Sequence, residues 1–382
     1  MVHGTADPRY AALREEFERQ LETGGELGAS LAVVADGELV VDLWGGWADP
    51  ERSRPWESDT ITNTWSCTKT VTSLAVLLLV DRDLIDPDAP VATYWPEFGA
   101  AGKESVLVKH LLSHTSGVSG WAEPVTPEFL YDAQGAAAAL AAQAPWWPAG
   151  AASGYHLLNY GHLLGELIRR VDGRDLGTFV REELTEPLGA DFAIGLDPAE
   201  FGRIANVVPP PPAQIDLSQV PPDSPAVRTL GNPVLDATIT WTDGWRTAQI
   251  GGANGHGNAR SLARIQSVLT NGGELDGRRY LSEQTIARIF EQQSDGVDLV
   301  LFQPLRFGIG YALPHPAVTP YLPEGSRVAF WGGWGGSLIL NDVGRGITFA
   351  YVMNRMSPGI IGSERSNAYA AALYSALDSA LA

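Results

Sequence analysis

Two residues whose types and spacing suit acyl chemistry, Ser66 and Lys69, stand three positions apart at the start of an apolar run that continues to Val80. On the first turn of a helix this spacing places both side chains on one face. The free N–H groups of that turn favour negative charge near the serine. A serine attacks a carbonyl only when a base takes its proton, and a lysine with a lowered pKa can be that base. The pair could therefore form a covalent acyl intermediate.

The use of lysine in this chain strengthens that interpretation. Lysine occurs only at Lys69, Lys103 and Lys109, and arginine supplies the other permanent positive charges, although it cannot give up its proton. The Ser-x-x-Lys spacing occurs once. Because an isolated Ser-x-x-Lys is more often a helix cap followed by an exposed lysine, the assignment depends on what the rest of the chain supplies.

The elements that must position the pair are predicted from hydrophobic spacing. Residues 29–35 and 38–43 are β-rich runs joined by Asp36-Gly37, a hairpin signal. Further β-rich runs lie at residues 307–312, 327–331, 337–341 and 347–352. Helical patterns lie at residues 8–23, 66–83, 106–113, 128–144, 159–172, 178–184, 261–269, 282–292 and 363–380. This order predicts the fold class α/β (α+β), with an antiparallel sheet from both chain ends flanked by helices and an inserted helical domain.

The predicted domain boundaries follow from this arrangement. Residues 1–80 and 250–382 form the α/β sheet domain, and residues 81–249 form a mostly helical inserted domain. Residues 207–227 are rich in proline and are expected to be an irregular surface excursion. Ser66 then lies where the sheet meets the helical domain, and small-molecule sites usually occupy such clefts.

The composition limits the classes of function. With 382 residues, 45% hydrophobic and 9% aromatic, the chain is predicted to be ordered and to bury a sizeable core. The net charge of −19 argues against nucleic acids and anionic membrane surfaces as partners. The single cysteine, Cys67, excludes an intrachain disulfide and is expected to pack in the core.

Features of targeting and of metal binding are also weak in this sequence. Residues 1–8 contain neither the basic nor the apolar region of a signal peptide, and the longest apolar stretch, residues 74–80, is too short to span a bilayer. We therefore expect a cytoplasmic protein. The seven histidines show no ligand set for a metal, so neither a metal nor a cofactor is predicted.

Three motifs follow one another along the chain in an informative order. They are Ser66-Cys67-Thr68-Lys69, then Ser153-Gly154-Tyr155-His156-Leu157, then Trp331-Gly332-Gly333-Trp334-Gly335-Gly336-Ser337. With the flanking segments 111–117, 147–150 and 251–253, they make the chain resemble the serine β-lactamase and penicillin-binding-protein superfamily. Within it the chain looks more closely like the family VIII carboxylesterases, which are built on a class C β-lactamase fold. The resemblance covers nearly all of residues 10–380 and implies a β-lactamase/transpeptidase-like fold.

The resemblance implies a catalytic role for each motif. Ser66 would be the nucleophile, Lys69 its general base, and Tyr155 the residue that shares the proton network and protonates the leaving group. A phenol held near an ammonium is expected to have a lowered pKa. The backbone N–H groups of Ser66 and Trp334 would form the oxyanion hole, although an alignment shifted by two residues would place Gly336 there.

The expected substrate contacts differ from those of the β-lactamases with this layout. The predicted substrate-binding residues are His156, Trp331, Gly332 and Gly333. The lactamases have asparagine where this chain has Leu157, and the lysine of a Lys-Thr-Gly motif where it has Trp331. Both missing groups anchor an acidic amide substrate, so the resemblance with these departures predicts an apolar rim and a neutral ester.

The predicted function is that of a serine carboxylesterase that hydrolyses neutral, short-acyl esters through an acyl-enzyme on Ser66. Alternatives on the same fold are an acyltransferase, a β-lactamase or D,D-peptidase, and a non-catalytic binding protein. A Ser-His-Asp site is a weaker alternative because no serine lies in Gly-x-Ser-x-Gly. Its members would be His114 or His156 with Asp132 or Asp191. The predicted partner is a small-molecule ester, and a homo-oligomer is left open.

Overall fold

The computed structural model of the chain describes residues 1–211, 220–323 and 325–379. Its strands are β1 (Val2–Ala6), β2 (Gly28–Ala35), β3 (Glu38–Gly46), β4 (Thr62–Asn63), β5 (Phe192–Ala193), β6 (His256–Gly257), β7 (Glu274–Leu275), β8 (Arg278–Arg279), β9 (Ser294–Val297), β10 (Pro304–Phe307), β11 (Ala312–Leu313), β12 (Val328–Gly332), β13 (Leu338–Asp342) and β14 (Ile347–Met353). Its α-helices are α1 (Ala11–Glu22), α2 (Thr68–Asp81), α3 (Val108–Leu112), α4 (Ala133–Ala142), α5 (Tyr160–Asp172), α6 (Leu176–Val180), α7 (Glu186–Leu188), α8 (Pro225–Leu230), α9 (Asp243–Thr247), α10 (Ala259–Thr270), α11 (Glu283–Ile289) and α12 (Glu364–Ser379). Within the three described ranges, no helix has the length and apolar character needed to cross a membrane.

Nine of these strands form one antiparallel sheet in the order β1-β3-β2-β14-β13-β12-β11-β10-β9. Residues 2–46 supply the first three strands of the chain, and residues 294–353 supply the other six. The two groups meet where β14 pairs with β2, with Leu31 opposite Tyr351. The sheet is thus built from both ends of the chain, as hydrophobic spacing predicts, while the domain boundaries near residues 80 and 249 stay a prediction.

Helices cover both faces of this sheet. On one face Tyr351 of β14 packs against Tyr369 of α12, with ring centroids 5.0 Å apart. On the other face Thr348 of β14 hydrogen-bonds Thr270 of α10 across 2.9 Å. Because both faces are covered, every residue of β14 is buried and the strand shows no alternation of buried and exposed side chains.

Helix α2 runs through the interior and carries the candidate base. Its residues from Thr68 to Val80 are all buried, and it packs against α5, α10 and α11. A helix that is apolar on nearly all sides belongs in the core of a large protein, which is why the apolar run predicts it. The predicted start at Ser66 is instead a short 3-10 turn, Trp65–Cys67, directly ahead of the helix.

Several elements lie outside the sequence prediction, and two edge strands and one helix among them are instructive. Strand β1 is short and contains polar residues, and it forms by pairing with β3. Strand β9 is also at an edge, with three of its four residues exposed. Helix α8 begins inside the proline-rich segment, where Ser224 caps it and Pro225 occupies its first turn. Residues 212–219 of that segment lie outside the described residues.

Candidate active site

The turn that carries Ser66 is held in an uncommon backbone conformation. Trp65 has a φ of +48°, in the left-handed region that side chains other than glycine rarely adopt. Its indole packs against those of Trp245 and Trp334, at ring-centroid distances of 5.7 and 4.9 Å. Residues in such conformations persist where the surroundings over-determine them, and they cluster at functional sites. The aromatic packing thus stabilises the backbone conformation of Trp65, and this conformation positions Ser66.

Lys69 lies one helical turn beyond Ser66, and its contacts are uncharged. Its Nζ is 3.0 Å from Ser66 Oγ and donates to the backbone oxygens of Leu157, at 2.8 Å, and Gly252, at 2.6 Å. The side chain is buried, and burial lowers the pKa of Lys69 well below its usual range. Since a neutral amine has two N–H bonds and one lone pair, and the two carbonyls take the N–H bonds, the lone pair remains for the proton of Ser66.

The two carbonyls converge on Lys69 because a helix glycine lets their segments meet. Gly161 of α5 packs against Gly251 and Gly252, and a Cβ on Gly161 would lie 2.4 Å from the backbone nitrogens of both. Thr72 of α2 also donates to the oxygen of Gly251 at 2.7 Å. A glycine inside a helix costs ~1 kcal/mol relative to alanine. Here that glycine permits the close contact that brings the oxygen of Gly252 to Lys69.

Tyr155 stands beside the pair as a buried phenol. Its Oη accepts a hydrogen bond from the Trp331 indole at 3.0 Å, and Lys69 Nζ lies 4.7 Å from the centroid of its ring. Burial raises the pKa of Tyr155, against the opposing effects of Ser66 and Trp331. The lowered pKa expected for this phenol is wrong, because burial outweighs the hydrogen bonds with Ser66 and Trp331. Tyr155 therefore stays protonated and can donate a proton.

Two backbone N–H groups beside the nucleophile turn are available to an oxyanion. Gly333, just after β12, lies so close to this turn that a Cβ would be 2.6 Å from Thr64 O. Within the part of the chain that the structure describes, the N–H groups of Ser66 and Trp334 donate to no protein acceptor. The N–H of Gly336 donates to Gly333 O at 3.0 Å. The geometry therefore favours Trp334 over Gly336 as the second donor.

Ser66 opens into an apolar cavity of about 210 Å³. The cavity is lined by Trp65, Ser66, Leu157, Leu158, Leu230, Pro233, Leu235, Ala253, Trp334, Gly359 and Ile360. None of these lining residues is charged. Pockets for drug-sized ligands have volumes of ~300–1,000 Å³, so this cavity suits a smaller, neutral group and offers no cation to a substrate carboxylate.

His156 lies away from the cavity, which contradicts the predicted substrate contact. Its side chain is fully buried, with Nε2 2.6 Å from Ser116 Oγ and Nδ1 2.7 Å from the backbone oxygen of Gly154. Burial lowers the pKa of His156 to about 4, so the ring is neutral near pH 7. Because both ring nitrogens are hydrogen-bonded, His156 links the motif that contains Tyr155 to Ser116 and is not available to a ligand.

Trp331 and the two glycines after it also lie behind the cavity, and their predicted direct contact with substrate is corrected. Trp331 is 3% exposed, and its indole N–H donates to Tyr155. Gly332 and Gly333 are buried where the end of β12 meets the nucleophile turn. Trp331 therefore acts on the phenol, and the glycines allow the close packing that brings Trp334 to the cavity.

The Ser-His-Asp alternative finds no support in the geometry. The Nδ1 atom of His114 accepts a hydrogen bond from the N–H of His156 at 3.1 Å. Asp132 caps α4, and Asp191 forms a salt bridge with Arg203 at 2.7 Å. Among the described residues, neither carboxylate hydrogen-bonds to either histidine, so no such triad is assembled.

Sequence reasoning misses the acceptors of Lys69 and most of the cavity wall. The acceptors are backbone oxygens of Leu157 and Gly252, so their side chains give no direct signal. The glycine pair at residues 251–252 is the one available indication of close packing. The missed wall residues are ordinary apolar side chains that only the fold brings together: Leu230, Leu235 and Ile360.

Comparison with known proteins finds relatives that span the whole chain. A family model described as Beta-lactamase matches residues 13–374. The chain is 35% identical to the esterase/beta-lactamase LipL of Mycobacterium tuberculosis, over 96% of this chain and 86% of that protein.

Two solved structures extend the comparison to the fold. A family VIII carboxylesterase superposes with a TM-score of 0.91 at 38% identity, covering 98% of this chain and 100% of that one. A penicillin-binding protein homologue from Caulobacter crescentus superposes with a TM-score of 0.89 at 39% identity, with the same coverage of 98% and 100%. The predicted β-lactamase/transpeptidase-like fold and the resemblance to family VIII carboxylesterases are confirmed.

Proposed function

The chain belongs to the beta-lactamase family, and we propose that it is a serine carboxylesterase that hydrolyses neutral, short-acyl esters through an acyl-enzyme on Ser66. The observation that carries the proposal is a buried Lys69 with a lowered pKa, placed 3.0 Å from Ser66 Oγ beside an apolar cavity. A similar protein is named an esterase/beta-lactamase, and a similar structure is a family VIII carboxylesterase. Both support a serine hydrolase of the esterase type.

In the acylation step, the lone pair of Lys69 takes the proton of Ser66 while Oγ attacks the ester carbonyl. Lys69 then becomes an ammonium whose charge is stabilised by the oxygens of Leu157 and Gly252. These carbonyls stabilise the charged form more strongly than the neutral one. Interactions that strengthen towards the transition state are those that increase the rate of the chemical step.

The negative charge that develops on the substrate oxygen is bound by the N–H groups of Ser66 and Trp334. Tyr155, whose raised pKa keeps it protonated, gives its proton to the departing alcohol and regains one from the Lys69 ammonium. Lys69 is then neutral again and can take a proton from the water that attacks the acyl-enzyme. The proton is returned to Ser66 when the acid leaves.

The cavity argues for the substrate class. Its lining is uncharged, and Leu157 stands in it where a β-lactamase would present an amide to the substrate. Burial of apolar surface is worth ~25 cal/mol per Å², so a short alkyl or aryl group is the part of a substrate that this cavity stabilises. A carboxylate would lose its hydration there without gaining a cation.

A second candidate is acyl transfer from the same acyl-enzyme to an alcohol. The apolar lining favours it, because an alcohol with a hydrocarbon group binds such a surface better than water does. Products measured with and without an added acceptor alcohol separate the two activities. Ester formation that outpaces acid release at modest alcohol concentration would assign transfer as the main reaction.

A panel of nitrophenyl esters of increasing acyl length, assayed beside the β-lactam nitrocefin, tests the proposed function. We expect turnover of the shortest esters, a decline as the acyl chain outgrows the cavity, and nitrocefin turnover far below that of the best ester. Nitrocefin hydrolysis as fast as that of the best ester would overturn the proposal in favour of a β-lactamase.

Covalent labelling tests the nucleophile separately. A fluorophosphonate should attach to the peptide that contains Ser66, and Ser66→Ala should abolish both labelling and turnover. Ser53→Ala is the matched control, because Ser53 is an exposed serine bonded to Asp49 on the surface. Absence of labelling in folded protein would point to the non-catalytic alternative.

A further inference from the structure

A buried carboxylate that the proposed mechanism does not use lies directly behind Tyr155. Asp298 is fully buried in the turn between β9 and β10. Its Oδ1 accepts three backbone hydrogen bonds, from Val300 at 2.9 Å, from Leu301 at 2.9 Å and from Tyr155 at 3.1 Å. The first two are local turn contacts that aspartate commonly makes. The third joins this turn to the backbone of Tyr155, 143 positions away in the chain.

The second carboxylate oxygen of Asp298 takes no part in these three contacts. Its Oδ2 is buried, and within the described residues it has no hydrogen-bond partner. An asparagine at this position would offer the same Oδ1 acceptor to the three N–H groups.

The Tyr155 segment depends on such long-range contacts because it belongs to no helix or strand. Leu299 N–H donates to the oxygen of Ser153 at 2.9 Å, and Gly154 N–H donates to the oxygen of His114 at 2.9 Å. Buried backbone groups in irregular segments must find partners outside regular ladders. The turn that holds Asp298 and the segment at His114 together supply them.

We propose that Asp298 is a positioning residue for Tyr155, an inference that rests on the proposed function. The large sheet then holds this tyrosine at two points. Asp298, on the β9–β10 turn, accepts from its backbone N–H, and Trp331, on β12, donates to its Oη. Two anchors on one sheet set the distance between the phenol and Ser66, and a shift of about 1 Å in a proton donor can cost ~10²-fold in rate.

A double-mutant cycle between Asp298 and Tyr155 tests the proposal. The rate of acylation of Ser66 by a short alkyl ester, whose departing alkoxide needs a proton, is measured together with KM for wild type, Asp298→Ala, Tyr155→Phe and the double variant. We expect Asp298→Ala to slow acylation about 10–100-fold with little change in KM. In the Tyr155→Phe background the same change should matter less than about threefold, because the group that Asp298 positions no longer donates a proton.

The acylation rate of an asparagine variant tests whether the Oδ1 acceptor of Asp298 is the feature that matters. Asp298→Asn keeps the Oδ1 acceptor, so its acylation rate should lie within about threefold of wild type. A rate as low as that of Asp298→Ala would overturn the proposal, as would an equal effect of Asp298→Ala in both tyrosine backgrounds. If Asp298→Ala does not fold, Asp298→Ser replaces it in the cycle. Asp298→Ser should likewise slow acylation when Tyr155 is present and have much less effect in the Tyr155→Phe background.

A matched control shows what a purely structural carboxylate does. Asp81 accepts hydrogen bonds from Ser282 N–H at 2.7 Å and Thr285 Oγ1 at 2.6 Å, and neither partner belongs to the Tyr155 motif. Asp81→Ala should lower stability without changing the acylation rate. Failure of the proposed function has a different signature, since Tyr155→Phe would then match wild type or Ser66 would not be acylated at all.

Discussion

The chain buries two clusters of titratable groups among tyrosine rings, and they are built in opposite ways. Between α12 and the sheet, Glu26 accepts hydrogen bonds from Tyr351 at 2.5 Å and Tyr369 at 3.1 Å, and forms a salt bridge with Arg365 at 2.6 Å. At the candidate active site, Lys69 meets two backbone oxygens and a hydroxyl. The first cluster matches a charge with an opposite charge, and the second leaves a titratable amine among uncharged neighbours.

This difference distinguishes a structural group from a reactive one. Burial raises the pKa of Glu26, and Arg365 and the two phenols reduce this rise without cancelling it. For Lys69 burial lowers the pKa, and among the described residues no carboxylate hydrogen-bonds to the amine to oppose this effect, so the amine gives up its proton more readily. A carboxylate near Lys69 would have restored the ammonium and removed the base. Among the described residues no carboxylate pairs with Lys69, and this absence is as important to the site as the residues present.

The largest expected effect comes from removing the uncharged amine. Lys69→Met keeps a side chain of similar length in the core but has no lone pair for the proton of Ser66. We expect kcat for a short ester to fall ~10²–10⁴-fold or more, while the protein stays folded in circular dichroism. Lys109→Met is the matched control, because Lys109 is a surface lysine paired with Asp88. A Lys69→Met enzyme within tenfold of wild type would contradict the assignment.

Breaking the other cluster should have the opposite profile. Glu26→Ala leaves the buried Arg365 without its counter-charge and leaves two phenols without an acceptor. Loss of one partner of a buried ion pair costs ~3–5 kcal/mol, and we expect a loss of that size in the free energy of unfolding measured with urea. The kcat of the folded fraction should be unchanged. A large loss of kcat with unchanged stability would show that this cluster belongs to the active site.

The pH dependence of acylation should reveal the uncharged amine directly in the kinetics. Because the pKa of Lys69 is lowered, the base is neutral above that lowered value and is lost as the pH falls through it. The value of kcat/KM should therefore drop about tenfold per pH unit on the acid side, with its midpoint well below 10.5. The raised pKa of Tyr155 predicts no decline below pH 10. A midpoint near 10, or an alkaline decline below pH 10, would contradict this account.

The smallest expected effect concerns the contact between Trp331 and Tyr155. Trp331→Phe keeps the aromatic packing but removes the N–H that donates to the phenol at 3.0 Å. The net value of one hydrogen bond predicts a decrease of about 2–10-fold in kcat, with KM unchanged. A selective rise in KM would return Trp331 to the substrate-binding role that the motif first suggests.

The central strands and the interior helix are the parts of the fold that the sequence predicts well. Both depend on local patterns, namely the hairpin signal at Asp36-Gly37 and the long apolar run of α2. The edge strands β1 and β9 carry no such pattern, because an edge strand is stabilised by its one neighbour and tolerates polar side chains. Their existence is a consequence of tertiary pairing.

The site divides in the same way between side-chain motifs and backbone geometry. Ser66, Lys69 and Tyr155 are identified by residue type and order, and the structure places them together. The oxygens that surround Lys69 are backbone atoms, which no residue type indicates. The motif containing Trp331 is correctly placed at the site, but its indole is directed to Tyr155 and not to the cavity.

The charge of Lys69 can be measured directly because the chain has only three lysines. Protein labelled with ¹³C at the lysine Cε positions should show three signals, and the one absent from Lys69→Met identifies Lys69. We predict that this signal titrates with a midpoint well below 10.5 and reports a neutral amine at the pH of maximal esterase activity. A Lys69 signal that stays in the ammonium form through that pH would contradict the central claim that an unpaired, uncharged lysine is the base.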